Sequence, residues 1–138
     1  MSTGAPQLFA KVAKGSRATV SVFGTDFPTP EGSAVRDYLP VLDLGRGHLL
    51  ALDAARAGTH GSYNLGSGTG HSVNEMNEAP RSVTGHRIQS PPAGRRPGDP
   101  ARLVASNGRI GADHGPSPEA GLRDIVADAR AFMKGRLS

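Results

Sequence analysis

Cysteine is absent from the 138 residues, and the aromatic side chains amount to four Phe, two Tyr and no Trp. Without cysteine there is no disulfide, no thiolate metal site and no cysteine nucleophile. With so few rings, aliphatic side chains must supply the core, which points to a folded but weakly packed domain. No apolar run is long enough to span a membrane, and MSTGAPQLFAKVAKG has no basic segment followed by an apolar stretch, so it is not a secretory signal. A cytoplasmic location is the simplest expectation. The five histidines, His48, His60, His71, His86 and His114, show no paired spacing that would hold zinc. Gly66-Ser67-Gly68 lacks the spacing of a nucleophile elbow.

What is present is glycine, proline and arginine. Nineteen Gly and eleven Pro fall just short of low-complexity composition, and the length suits one domain. The net charge is +4, and thirteen of the sixteen basic residues are arginine. That bias suits planar recognition of phosphate, and it fits a solvated basic surface equally well. The arginines are spread along the whole chain and no helix-turn-helix or stacking platform accompanies them, so nucleic acid is not the expected partner.

In chain order, Met1–Ala5 reads as a disordered start and Pro6–Ala13 as a short helix. Thr19–Gly24 is a strand with Val20 and Val22 on one face, followed by a proline-stiffened loop. Val35-Arg36-Asp37-Tyr38 is a charged loop leading through Pro40 into a long helix that runs to Gly58. Interleaved rows of Val41, Leu44, Ala51, Leu52, Ala55 and of Leu42, Leu49, Leu50 predict one wide buried face on it. Asp37 and Asp43 are read as salt-bridge or cap residues.

Ser62–Leu65 reads as a short strand and Gly66–Gly70 as a tight turn. A phosphate-binding loop is the weaker reading, because His71 stands where the dinucleotide fingerprint needs a glycine. Ser72–Glu75 is a capping box opening a helix that Pro80 interrupts. Ile88–Pro92 is a candidate edge strand, and Gly94–Leu103 a charged loop in which Arg95, Arg96 and Asp99 can clamp a diphosphate and a sugar hydroxyl. Ser106–Pro116 has a poor pattern. The last helix, capped by Ser117 with Pro118 in its first turn, carries Leu122, Ile125, Val126, Ala129, Phe132 and Met133 at helical spacing.

Four blocks in this order, FGTDFPTPEG, VRDYLPVLDL, YNLGSGTGHSV and RRPGDP, resemble the C-terminal part of the UDP-glucose 4-epimerase family, within the extended short-chain dehydrogenases/reductases. The resemblance runs from Phe9 to Phe132. It implies an α/β fold, with residues 6–138 as the UDP-sugar binding part of an extended Rossmann-type enzyme that lacks the N-terminal dinucleotide-binding region. In that family, Arg36 corresponds to an arginine on the UDP phosphates. Arg96 and Asp99 correspond to the pair holding diphosphate and ribose, and Ser21, Val22 and Phe23 to the strand framing uracil.

Gly4 stands where the family has an asparagine, Pro40 where it has a histidine, Pro80 where it has a helix former, and His114 and Pro116 where it has apolar anchors. The family's activity, interconversion of UDP-glucose and UDP-galactose in galactose metabolism, uses NAD and a Tyr-x-x-x-Lys pair. Here Tyr38 and Tyr63 are followed four residues on by Leu42 and Ser67. No catalytic residue is therefore assigned, and NAD is not expected to bind this chain alone.

The expected ligand is a UDP-hexose. A separate chain is a candidate source of the cofactor domain, and the family is often homodimeric. Three readings stand: the UDP-sugar binding part of an epimerase that is inactive alone, a non-catalytic UDP-sugar binding remnant, and a nonfunctional gene fragment.

Overall fold

Short β segments joined by proline-rich and glycine-rich turns carry three longer helices on their flanks. The computed structural model describes residues 19–84, 88–115 and 121–135. The elements are β1 (Val22–Phe23), β2 (Val35–Arg36), α1 (Val41–Ala54), β3 (His71–Ser72), α2 (Val73–Thr84), β4 (Pro92–Ala93), β5 (Arg102–Leu103), α3 (Gly108–His114) and α4 (Leu122–Gly135). The expected disordered start, the helix at Pro6–Ala13 and the Ser117–Pro118 cap lie outside the described residues.

Two small sheets form. In the first, β1 runs parallel to β4 with Val22 opposite Pro92. Hydrogen bonds from the Val20, Val22 and Gly24 amides to Gln89, Pro91 and Ala93 carbonyls extend the pairing along the whole Thr19–Gly24 stretch. In the second, β2 lies between antiparallel β3 and parallel β5. The alternation expected for Thr19–Gly24 holds: Val20 and Val22 are buried, whereas Ser21 and Phe23 face outward. Ile88–Pro92 is the strand's partner, with the regular ladder centred on Pro92–Ala93.

The core is small and aliphatic. Val20, Met76, Ile88 and Val126 form its centre, with Tyr38, Ala79 and Leu122 packed around them. Each such fully buried side chain contributes about 1.5–3 kcal/mol of transfer free energy. Helices α2 and α4 face one another across this cluster. The N-terminus of α2 is set by the capping box, with the Glu75 carboxylate accepting from the Ser72 N–H at 2.7 Å and the Glu75 N–H donating to the Ser72 hydroxyl at 3.0 Å.

Several sequence expectations need correction. Ser62–Leu65 forms no strand, because no neighbouring strand among the described residues offers it a ladder. The helix after Pro40 ends at Ala54, short of Gly58. Ala55 turns extended there, and the Arg56 guanidinium takes the freed Asp53 and Ala55 carbonyls at 2.8 Å.

The wide buried face expected on α1 is also absent. Asp43 and Gly47 are its buried residues, while Val41, Leu42, Leu44, Leu49, Leu50 and Leu52 are exposed. A Cβ on Gly47 would collide with Leu65, so the missing side chain lets α1 lie against that segment. Conversely, the poorly patterned stretch after Ser106 does form a helix, α3. Ile110 anchors it in the core, and His114 packs edge-on against Tyr63 with centroids 5.0 Å apart.

Two sequence choices weaken α2. Pro80 lies inside the helix and is fully buried, so the carbonyl of Met76, four residues earlier, receives no N–H from it. Asn77 is buried with neither amide atom hydrogen-bonded, beside a cavity of ≈ 540 Å³ lined also by Asn74, Ile88 and Ser90.

An interior proline costs ~3 kcal/mol, and losing the packing of its ring costs about 1 kcal/mol. Pro80→Ala should therefore stabilise the chain by roughly 1–2 kcal/mol, read as a rise of several degrees in the thermal melt. A lower melting temperature would show that the buried ring contributes more than the restored hydrogen bond.

Candidate functional site

The candidate residues are carried by the ends of short strands and by the loop from Gly94 to Pro100. Arg36 ends β2, whose pairing on both sides fixes its backbone. Its guanidinium is already oriented. One nitrogen donates to the Pro100 carbonyl at 2.8 Å and to the Val35 carbonyl at 2.9 Å, and the other lies 3.3 Å from the Asp99 carboxylate. Arg36 and Asp99 are both partly exposed, so this pair sits at a surface rim rather than in the core.

The other end of the loop is held by rings. Arg96 stacks over Phe23 at 3.9 Å and Arg95 over Phe27 at 4.3 Å. Such contacts contribute roughly 0.5–1 kcal/mol at exposed sites. Arg95 also donates to the Asp26 carboxylate at 2.7 Å and to the Asp26 carbonyl. That hydrogen bond is the main influence on Asp26, holding its carboxyl below the ordinary value. Gly24, at φ +80°, permits this close approach, since a Cβ there would meet the Phe27 ring and the Arg95 side chain.

The loop thus joins both sheets. It brings Arg36 to Asp99 and Arg96 to Phe23, while the Asp99 N–H bonds back to the Arg96 carbonyl at 3.2 Å. Three guanidiniums, at 36, 95 and 96, face two carboxylates, at 26 and 99, leaving a net positive rim. Ser21 is exposed on the same strand as Phe23. Val22 is a core residue, and its N–H is already given to Pro91, so its side chain offers nothing to a ligand.

A second cluster positions this rim. One oxygen of the Asp37 carboxylate accepts from the Ser67 N–H at 2.7 Å, and the other from the Ala105 N–H at 2.9 Å. Asn107 makes a reciprocal pair with Gly66, accepting from its N–H at 2.9 Å and donating to its carbonyl at 2.5 Å. Gly66 has to be glycine here, because a Cβ would strike the Asp37 carboxylate and lie 2.7 Å from the Ala105 methyl.

Asp37 therefore joins the glycine turn and the exit of β5 to the residue beside Arg36. The salt-bridge or cap role expected of it gives way to this clamp, for which its local sequence carries no signal. Asp43 does form an ion pair, with Arg46 at 3.2 Å.

Burial is the largest influence on Asp37 and raises its pKa. The hydrogen bonds from Ser67 and Ala105 and the field of His71 together outweigh it, so the carboxyl titrates below its ordinary value. Tyr38 is shifted upward by burial, partly offset by Arg36, and remains a neutral phenol in the core margin.

The glycine turn does not fit a dinucleotide diphosphate. The N–H groups of Gly66, Ser67 and Gly70 are taken by Asn107, Asp37 and the Ser67 hydroxyl, so three of the turn's five donors are already committed within the chain. Among the described residues, no cluster of His, Asp and Glu is placed to hold a metal, and no helix is long and apolar enough to cross a membrane.

An α/β chain with a loop-borne arginine rim between two small sheets has clear relatives. No family model matches the sequence. The UDP-glucose 4-epimerase of Corynebacterium glutamicum is 50% identical over 126 residues, which is 91% of this chain and 38% of that protein. By structure, the chain matches a UDP-glucose 4-epimerase from Stenotrophomonas maltophila with bound NAD and formylated UDP-arabinopyranose, at TM-score 0.91 and 34% identity. The match covers 99% of this chain and 41% of that one.

The Bifidobacterium longum enzyme in complex with NAD+ and UDP matches at TM-score 0.90 and 34% identity, over 97% of this chain and 40% of that one. The architecture is thus that of the C-terminal region of α/β nucleotide-sugar epimerases. The chain belongs to the UDP-glucose 4-epimerase family, and it spans about two-fifths of the length of the relatives it matches.

Asp37→Asn replaces an acceptor of two backbone N–H groups with a side chain that presents an NH2 to one of them. It should lower unfolding free energy by about 1–3 kcal/mol in urea titrations. Because the folded carboxyl is more acidic than in the unfolded chain, its stabilisation is complete above the unfolded carboxylate value. It is lost as pH falls through the lower folded value. The Asn variant should show a flatter acid limb; an unchanged limb would remove Asp37 from this role.

Proposed function

We propose that the chain is the UDP-sugar binding part of a UDP-glucose 4-epimerase, acting on UDP-glucose and UDP-galactose in cytoplasmic galactose metabolism, and that alone it binds without turnover. The observation that supports this most directly is the preset Arg36 guanidinium with Asp99 and Arg96 on one rim. In this reading Arg36 and Arg96 take the diphosphate oxygens. Asp99 exchanges its contact with Arg36 for a ribose hydroxyl, and Ser21 and Phe23 border the base, the strand's backbone fixing their spacing.

Turnover needs groups that this sequence does not supply. Neither tyrosine is followed four residues later by lysine, and the glycine turn has committed the N–H groups of Gly66, Ser67 and Gly70 within the chain. The chain's own residues bind and orient a nucleotide sugar; no proton or hydride step is assigned to them. A non-catalytic binder of UDP-sugars rests on the same rim and differs only in whether a cofactor domain ever joins it.

Calorimetric titration of the purified chain with UDP tests this. Saturable binding should appear, and Arg36→Ala with Arg96→Ala should weaken it by at least tenfold, since each removes charge-assisted hydrogen bonds of about 1.5–3 kcal/mol. Affinity should also fall with added salt. No heat from a cooperatively folded wild-type chain overturns the proposal, and turnover of UDP-galactose with added NAD+ overturns its second clause.

A further inference from the structure

The cavity of ≈ 540 Å³ beside α2 has a use for the two polar groups that the fold leaves unpaired around it. Asn77 is 7% exposed, and neither its amide oxygen nor its nitrogen is hydrogen-bonded; the Ser90 hydroxyl is likewise buried and unpaired. One such group is a defect in packing. Two, carried by different elements and bordering one cavity, point to an occupant that pairs with both.

The local structure explains how they converge. Asn74, Asn77 and Glu78 stand at i, i+3 and i+4 of α2 and so share one face of the helix. Ile88 and Ser90, two residues apart, share the inner side of the stretch that lines the other wall, and Gln89 between them is exposed. Asn74 is held by its nitrogen, which donates to the Glu31 carbonyl at 3.4 Å. Gln89 is bridged to Thr19 and Ala93 pairs with Phe23, so the cavity lies at the start of this ladder, whereas the arginine rim lies beyond its end.

The lining selects the chemistry. Among the described residues around the cavity there is no cation to balance a phosphate or carboxylate, and Glu78 opposes one. Nor is there a ring on which a base would stack. An apolar occupant would leave Asn77 and Ser90 still unpaired. Three carboxamides and a hydroxyl donate and accept at once, as sugar hydroxyls do, and the volume falls within the roughly 300–1,000 Å³ of small-molecule sites. We infer that this cavity is a binding site for a neutral monosaccharide or a cyclic polyol of that size, separate from the arginine rim. It does not require that the rim bind UDP.

Titration of the 15N-labelled full chain with glucose, mannose and myo-inositol, followed in the 1H–15N spectrum, tests this. At least one should shift the Asn74, Asn77, Gln89 and Ser90 signals saturably in the millimolar range. Asn77→Leu should weaken that binding at least tenfold in a protein that still melts cooperatively. Ser90→Ala, which removes one hydroxyl and little packing, should weaken it severalfold.

Glucose 1-phosphate should bind more weakly than glucose, and tetrahydropyran, the ring without its hydroxyls, should not saturate. Arg36→Ala with Arg96→Ala should bind the sugar as well as wild type, so this site and the nucleotide site fail separately. No saturation by any of the three neutral probes overturns the inference. So do shifts confined to Phe23, Arg95 and Arg96, tighter binding of the phosphate, or undiminished binding by the Asn77 and Ser90 variants.

Discussion

The Asp37 carboxylate is the constraint on which the rest of the site depends. Adjacent to Arg36 in sequence, it binds one N–H from the glycine turn and one from the segment leaving β5, 30 and 68 residues further along the chain. These are charge-assisted bonds to backbone donors, stronger than neutral ones and fixed in direction. They hold the turn against β2 and make Gly66 obligatory. Asn107 repeats the arrangement with Gly66 on the other side. With two small sheets and a core of few aliphatic residues, this polar lacing supplies precision that packing alone does not.

The arginine rim inherits that precision. Arg36 is oriented by carbonyls and by Asp99, and Arg96 by the Phe23 ring, so neither guanidinium has to be collected from solvent when a ligand arrives. Preorganisation of this kind lowers the entropy cost of binding more than added contacts would. The rim is built from one loop and the ends of two strands, which lets a chain of this size present it. The same economy shows elsewhere: α1 carries Leu42, Leu49 and Leu52 exposed.

Much of this was legible in sequence where a local rule governs. The alternation of Val20 and Val22, the Ser72–Glu75 capping box and the interior Pro80 each follow from the chemistry of a few neighbouring residues. The helix after Pro40 was legible as a helix, but its burial was not, because periodicity says which residues share a face and not what lies opposite. Ser62–Leu65 had strand composition without a partner to pair with. The residues around α3 looked unfit for a helix, yet Ile110 and the Tyr63–His114 contact, both dependent on distant segments, give one. Within the site, Arg36, Arg96 and Asp99 stood out through resemblance. Asp37, Arg95 with Phe27, and Asn107 had no local signal for their roles, since each acts on residues about 30 to 70 positions away.

Hydrogen exchange at the amides of Ser67 and Ala105 tests the central claim most directly. If the Asp37 carboxylate anchors the site, both amides exchange slowly in the isolated chain, with protection comparable to that of the Met76 region, and both lose protection together in Asp37→Asn. Exchange at the rate of an open loop in the wild-type chain, with the Met76 region still protected, would contradict it. The core would then be folded while the turn, the exit of β5 and the arginine rim were left unheld.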